Sequence, residues 1–189
     1  MEIDGVMLDG LVTEYTFDTK GAHTVKYELY DETNLGANAF NGCSNLTSAD
    51  IPASVTSIGN SAFKECSGLT SIDIPNSITS IGEQSFRSCS SLTSVIIPNS
   101  VISIGKTTFS GCSNLTSVTI GSGITSIGSD TFKNCTSLTS VRSLAMTAPT
   151  INKSTFQQVK EGGILTVPSD STGYDVWMGT GNYYLGLYN

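Results

Sequence analysis

Histidine and tryptophan each occur once in 189 residues, as His23 and Trp177, and charged residues make up only 13% of the chain. Each scarcity removes a class of function. A serine-histidine dyad could use only His23, and no Gly-Xaa-Ser-Xaa-Gly elbow surrounds any of the serines. No P-loop or dinucleotide fingerprint is present, and no carboxylate pair is framed by an apolar cleft that would hold one of them protonated. Enzymatic chemistry and a bound cofactor are therefore not expected. Nine Lys and Arg face sixteen Asp and Glu, giving a formal net charge of -7. That balance disfavours nucleic acid or an anionic membrane as partner, because both attract clustered cations. No apolar run approaches the length of a membrane span, and Met1-Glu2-Ile3-Asp4 lacks the basic start and apolar stretch of an export leader. If the protein is exported, a leader has been removed, and the limits Met1 and Asn189 fit a piece of a longer precursor.

What the chain does contain is one pattern, repeated. Leu69 to Ser91, LTSIDIPNSITSIGEQSFRSCSS, returns with a step of 23 residues. Leu46, Leu69, Leu92, Leu115 and Leu138 mark the step, as do Cys43, Cys66, Cys89, Cys112 and Cys135, with Phe40, Phe63, Phe86, Phe109 and Phe132 three residues before each Cys. Within a copy, Leu69, Ile72 and Ile74 read as a short strand that Pro75 ends by removing a backbone donor. Ile78 and Ile81 return inward, and Gly82 closes the segment. The column Gly36, Gly59, Gly82, Gly105 and Gly128 calls for a positive φ or a close backbone approach. The polar remainder, with Phe86 and Cys89 inward, has room only for a helical turn or a 3₁₀ piece.

One such unit cannot bury its apolar residues alone, so the copies must stack, at about the 4.8 Å spacing of neighbouring strands, like column on like column. The predicted fold is a solenoid of stacked 23-residue repeats with short parallel strands, turns and short helical pieces.

Repeats of the form LTSIxIPxSITSIGxxxFxxCSS resemble the leucine-rich repeats of the BspA-like bacterial surface proteins. The resemblance covers five copies between about Asn38 and Val141. The later stretch Leu165-Thr-Val-Pro-Ser-Asp-Ser-Thr-Gly-Tyr-Asp-Val-Trp-Met resembles the segment that closes such arrays. What the resemblance implies is a leucine-rich-repeat solenoid, exported to the bacterial cell surface and used for adhesion or protein binding, with a host extracellular-matrix or other surface protein as partner.

Both ends depart from the repeat. Through Phe40, eight acidic residues face Lys20 and Lys26, so six of the seven excess negative charges belong to this N-terminal stretch. Val12–Phe17 and Thr24–Leu29 alternate around Asp18-Thr-Lys-Gly21, the pattern of a β-hairpin. This hairpin runs into a degenerate first repeat ending at Gly36. Residues 1–37 are thus expected to cap the stack and to block edge-to-edge association, 38–145 to form the five regular repeats, and 146–189 to supply an irregular last repeat and cap. In the latter, Phe156 follows Phe132 by 24 residues, Gly163 to Pro168 supplies a last strand, and Tyr174 to Met178 a short helix. His23, beside the hairpin turn, reads as solvated or capping.

A lone Cys in each repeat gives no CxxC pair, and ligands in a line cannot wrap a tetrahedral ion, so no zinc is expected; Asp50 and Asp73, one rung apart, would make at most a weak, ligand-poor calcium site, and no metal is assigned. The number of cysteines is odd and their side chains run parallel, which argues against disulfides. The five therefore read as shielded free thiols packed as small hydrophobes. The sequons at Asn45, Asn114, Asn134 and Asn152 carry little weight in so Ser/Thr-rich a chain.

Two surfaces remain as candidate sites. Outward on the strands, the Thr and Ser columns are monotonous, and only Asp50, Asp73, Ile96, Thr119 and Arg142 vary, from acidic to basic. A partner protein would be read there. The alternative is a glycan platform of Tyr174, Trp177, Tyr183 and Tyr184, with Tyr188 nearby. The competing account of those aromatics is that they seal the core. A rigid spacer within a longer surface protein is a third reading, and a monomer is expected in each case.

Overall fold

The computed structural model describes residues 2–7, 21, 23–26 and 33–178. The chain divides into two units, Met1–Glu32 and Thr33–Asn189. In the first, β1 (Glu2–Ile3) pairs antiparallel with both β2 (Val6–Met7) and β3 (Val25–Lys26). A turn at Asp4 and Gly5, both at positive φ, joins β1 to β2. β3 lies in the second arm of the expected hairpin, and the first arm, Val12–Phe17, lies outside the described residues. The Asp4 carboxylate ties this unit together. It accepts from the Thr24 amide at 2.7 Å and lies 2.8 Å from His23 Nδ1. The His23 contact, with the Thr24 bond second, holds the Asp4 carboxyl below its ordinary pKa.

The second unit is a parallel solenoid whose rungs follow the 23-residue step. Each regular rung carries two strand positions, one more than the sequence suggests. The Ser-Ile of the SIG motif forms one sheet: β4 (Asn34–Leu35), β5 (Ser57–Ile58), β6 (Ser80–Ile81), β8 (Ser103–Ile104) and β10 (Ser126–Ile127). Its register is one repeat per strand, Leu35 on Ile58 on Ile81 on Ile104 on Ile127. The LTSIxIP stretch forms the other sheet: β7 (Ser94–Ile97), β9 (Ser117–Ile120), β11 (Ser140–Ser143) and β12 (Ile164–Thr166). Before β7 this sheet narrows to a single bridge, Asp50 to Asp73. There Ala49 stands where later rungs place Ile72 or Val95, and two carboxylates replace neutral residues, so less burial supports the ladder. β4 shows that the degenerate first repeat is continuous with the stack.

The expected 3₁₀ piece is instead a run of turns. Its amides alternate between bonds inside the rung and bonds to the next rung. Gln84, Phe86 and Ser88 donate to the Lys106, Thr108 and Ser110 carbonyls, while Arg87 and Cys89 bond within their own turn. Serving the neighbouring rung prevents a continuous helical ladder, and it places Gln84 and Ser88 at φ of 59° and 61°. The glycine column answers the close approach and not the positive φ. A Cβ on Gly59, Gly82, Gly105 or Gly128 would come within 2.7 Å of the preceding rung, whereas one on Gly36, in the first rung, meets nothing.

The core is a stack of like on like. Six phenylalanines, Phe40, Phe63, Phe86, Phe109, Phe132 and Phe156, lie nearly parallel with centroids 5.2 to 5.6 Å apart. The 24-residue step to Phe156 is absorbed without breaking the stack. Trp177, on α1 (Asp175–Met178), tilts onto Phe156 at 5.6 Å, and Tyr174 meets Trp177 edge-on.

Candidate functional site

Serine, threonine and cysteine side chains do most of the polar work inside the stack, and their roles separate the structural columns from the open ones. The strand-entry threonines bond back to the previous rung: Thr70 and Thr116 Oγ1 donate to the carbonyls of Thr47 and Thr93, and Thr56 and Thr79 to those of Thr33 and Thr56. A second hydroxyl column, just before each Phe, is buried. Thr108 Oγ1 sits 3.1 Å from the Gly82 carbonyl and 2.8 Å from that of Gly105; Thr131 repeats the pair with Gly105 and Gly128. Ser85 and Thr155 occupy the same column. Sequence reasoning passed over these residues, although a hydroxyl in front of Phe in successive copies was the available signal.

The thiols form a ladder with a donor role that packing alone does not describe. Cys66, Cys89, Cys112 and Cys135 are fully buried, and each Sγ lies 3.0 to 3.2 Å from the carbonyl of the Phe one rung back. Burial pushes the thiol pKa up, to about 11 at Cys66, about 12 at Cys89 and Cys135, and well above the ordinary thiol value at Cys112. All five cysteines are free. Cys43 departs from the expected shielding: it is exposed, because the described first rung leaves its side chain uncovered. Among the described residues, no three or more His, Cys, Asp or Glu gather as metal ligands.

The outward residues of the second sheet are brought into one register. Ile96 faces Thr119, Thr119 faces Arg142, and Arg142 faces Thr166, while Asp50 bridges to Asp73 in the rungs before. Asp50, Asp73 and Arg142 are exposed and Thr119 is half-buried. Ile96 is 68% exposed, the largest value among the exposed large apolar side chains of the described residues. The structure thus pairs Ile96, Thr119 and Arg142 in one outward column and extends it to Thr166, with Asp50 and Asp73 bridged to each other in the two preceding rungs. The column presents two carboxylates, an apolar side chain, a hydroxyl and a guanidinium in that order, across a face that is otherwise serine and threonine.

The aromatic platform is different. Trp177 is fully buried, its Nε1 donating to the Pro149 carbonyl at 3.1 Å. Tyr174 is buried as well, with its hydroxyl donating to the Ala145 carbonyl at 2.9 Å and lying 2.6 Å from Ser143 Oγ. Both plug the end of the phenylalanine stack and offer no ring face to a sugar. Tyr183, Tyr184 and Tyr188 lie outside the described residues.

Comparison with known proteins agrees with this architecture. A family model described as BspA type leucine rich repeat region matches residues 33–161 in six copies, one more than the regular repeats counted from sequence. Among solved structures, a Treponema pallidum leucine-rich repeat protein is 25% identical with a TM-score of 0.62, over 81% of this chain and 79% of that one. The pneumococcal vaccine antigen PcpA is 28% identical with a TM-score of 0.62, over 71% of this chain and 34% of that one. A leucine-rich repeat protein of Bacteroides ovatus, at 24% identity and a TM-score of 0.54, shares the fold over 72% of this chain and 40% of its own. No curated protein matches the chain.

Proposed function

The chain belongs to the BspA-type leucine-rich repeat family, and from that premise we propose that it is a non-enzymatic, exported bacterial surface module that binds a partner protein through the outward column of its second sheet. Membership supports the class, and so does its similarity to an antigen of another bacterium. The observation that carries the site is Ile96. A side chain of that size left 68% exposed on a strand, in a column whose other members are polar, loses burial energy that a docked partner restores. Asp50 over Asp73 supports the same face, since like charges in strand register repel.

A surface of mixed charge around one apolar residue fits a protein partner better than nucleic acid or lipid. The partner belongs to the class of host matrix or other surface proteins. Location at the cell surface follows from the family reading; among the described residues no helix is long and apolar enough to cross a membrane. The glycan alternative loses two of its four residues to the core.

The test is binding of the purified chain to an array of matrix proteins and glycans at low and physiological salt. Protein binding that is lost in Ile96→Asp and in the Asp50/Asp73/Arg142 triple substitution, with the melting temperature preserved, supports the reading. Binding that survives both variants sinks it.

A further inference from the structure

The turn runs 60–65, 83–88, 106–111, 129–134 and 153–158 form a face of their own. In each run the two middle residues are buried and the other four are not. Backbone bonds fix the register of those four from rung to rung. The Glu65, Ser88, Gly111 and Asn134 amides donate to the carbonyls of Arg87, Ser110, Lys133 and Gln157, which stand in one column with Lys64. The Ser61, Gln84 and Thr107 amides donate in the same way to Glu83, Lys106 and Ser129, which form a second column with Asn60. At the 24-residue step the Asp130 amide meets Ser154 Oγ instead, so Lys153 continues the second column.

The outward residues of these runs are all polar apart from Gly111, and each of the five rungs carries one cation: Lys64, Arg87, Lys106, Lys133 and Lys153. At the spacing of neighbouring strands the stripe is about 19 Å long. Three carboxylates share the face, Glu65, Glu83 and Asp130. Lys64 pairs with Glu65 and Lys133 with Asp130, each at 3.4 Å. Among the described residues Arg87, Lys106 and Lys153 enter no ion pair, and all three are exposed. In the last rung both columns open onto one recess of about 400 Å³, lined by Lys153, Ser154, Gln157 and Gln158. Ser154 Oγ is engaged with Asn152 and the Asp130 amide. The Lys153, Gln157 and Gln158 side chains bond to nothing among the described residues.

We propose that this turn face is a second binding surface, for a linear acidic polysaccharide. Its chain lies along the solenoid axis, with sulfate or carboxylate groups on Arg87, Lys106 and Lys153 and a sugar residue in the recess. One cation in each rung matches a polymer that carries charge at intervals. Amides and hydroxyls supply both donors and acceptors for sugar hydroxyls. A nucleic acid is served worse, because no aromatic ring stands in these columns for a base to stack on. A protein partner finds no apolar or aromatic anchor there. The face shares no residue with the outward column of the second sheet, so the two surfaces can be tested apart.

The experiment is binding of the full chain to heparin, hyaluronan, neutral dextran and a single-stranded oligonucleotide, at low and physiological salt. Heparin probes sulfate and hyaluronan carboxylate alone. The expected result is binding to one or both acidic glycans that weakens with salt, and none to dextran. Lys106→Glu with Lys153→Glu should weaken it roughly tenfold. Gln157→Ala with Gln158→Ala should weaken it severalfold and leave the salt dependence as it was, since no charge changes. All four residues are exposed, and circular dichroism melting checks that the fold is kept. A chain that binds neither acidic glycan at low salt overturns the proposal. So does binding indifferent to either double substitution, or an oligonucleotide bound as tightly as the glycan. The Asp50/Asp73/Arg142 triple substitution should leave glycan binding in place; its loss there would move the site to the second sheet and overturn the assignment.

Discussion

Thr107 sits at φ of 54°, in a column of left-handed residues that also holds Asn38, Ser61, Gln84 and Asp130. It is the β-branched member, and the left-handed region is least tolerant of branching at Cβ. An L-residue there costs about 1 to 2 kcal/mol relative to the right-handed form, and asparagine recovers a large part of it. Against this gain stands one exposed hydrogen bond, Thr107 Oγ1 to the Lys106 carbonyl at 2.7 Å. Its loss costs about 0.5 kcal/mol. Thr107→Asn should therefore stabilise the chain by about 0.5 to 1 kcal/mol. For a chain of this length that is a rise of about 1 to 4 °C in Tm, read by calorimetry or far-ultraviolet melting. Thr107→Gly should gain less, because the unfolded chain becomes more flexible. The control is Thr116→Asn. That threonine lies at strand entry with ordinary φ and bonds to the Thr93 carbonyl, so the same chemical change should lower Tm. If Thr107→Asn melts below the wild type, or if the two variants move together, the strain argument fails.

The remaining predictions concern the core. Phe109→Ala removes a ring stacked at 5.3 Å on one side and 5.6 Å on the other, and should cost about 3 to 5 kcal/mol in denaturant unfolding. In the native state a bulky thiol reagent should label Cys43 quickly and leave Cys66, Cys89, Cys112 and Cys135 protected until unfolding; four further fast thiols would contradict the buried ladder. Because burial raises those folded pKa values above the unfolded 9.0, the unfolded chain loses protons first as pH climbs. Stability should thus be full below pH 9 and fall between pH 9 and about 12, by up to about 1.4 kcal/mol per pH unit for each thiol, measured by urea unfolding across that range. Ser77 Oγ is buried without a partner, whereas Ser100 Oγ, one rung on, donates to the Ile78 carbonyl. Ser77→Ala should be neutral or slightly stabilising and Ser100→Ala should cost about 1 kcal/mol, a contrast that melting temperatures would resolve.

The columns of Leu, Phe and Cys made the stack legible, because identical side chains at a fixed step can be buried only against one another. The C-terminal strand and short helix were legible too, since Gly163 to Pro168 and Tyr174 to Met178 carry local signals for each. The second strand was not. Ser80 and Ile81 pair over only two residues, too short for alternation to show, and the pairing is enforced by the neighbouring rungs and not by local preference. The same holds for the turn run around Gln84 and Ser88, where an isolated segment of that composition favours a helical turn and the inter-rung bonds override it. Cys43 looked like its four counterparts because a repeat pattern carries no mark of which copy stands at an end. The candidate column was readable as the variable one; that Thr166 continues it depended on a register shifted by one residue from the regular step.

A solenoid places every outward residue about one strand spacing from its counterpart in the next rung, so a charge repeated with the pattern meets itself along the whole stack. That constraint accounts for the low charge of the repeats and for their serine and threonine faces better than any ligand does. Threonine also closes hydrogen bonds to the previous rung, which a charged residue at strand entry would leave open. Specificity must then come from residues that break the repetition. On the second sheet the breaks run in order through Asp73, Ile96 and Arg142, and in strand register the pattern sets like charges together at Asp50 on Asp73. Neutralising that pair by Asp73→Asn should raise stability by a few tenths of a kcal/mol, since about 1 kcal/mol at most separates opposed like charges from a neutral pair at an exposed strand. If the same substitution weakens partner binding, the repulsion is a cost retained for recognition. If stability rises and binding is unchanged, the acidic pair belongs to the tapering edge alone, and Ile96 with Arg142 forms the recognition surface.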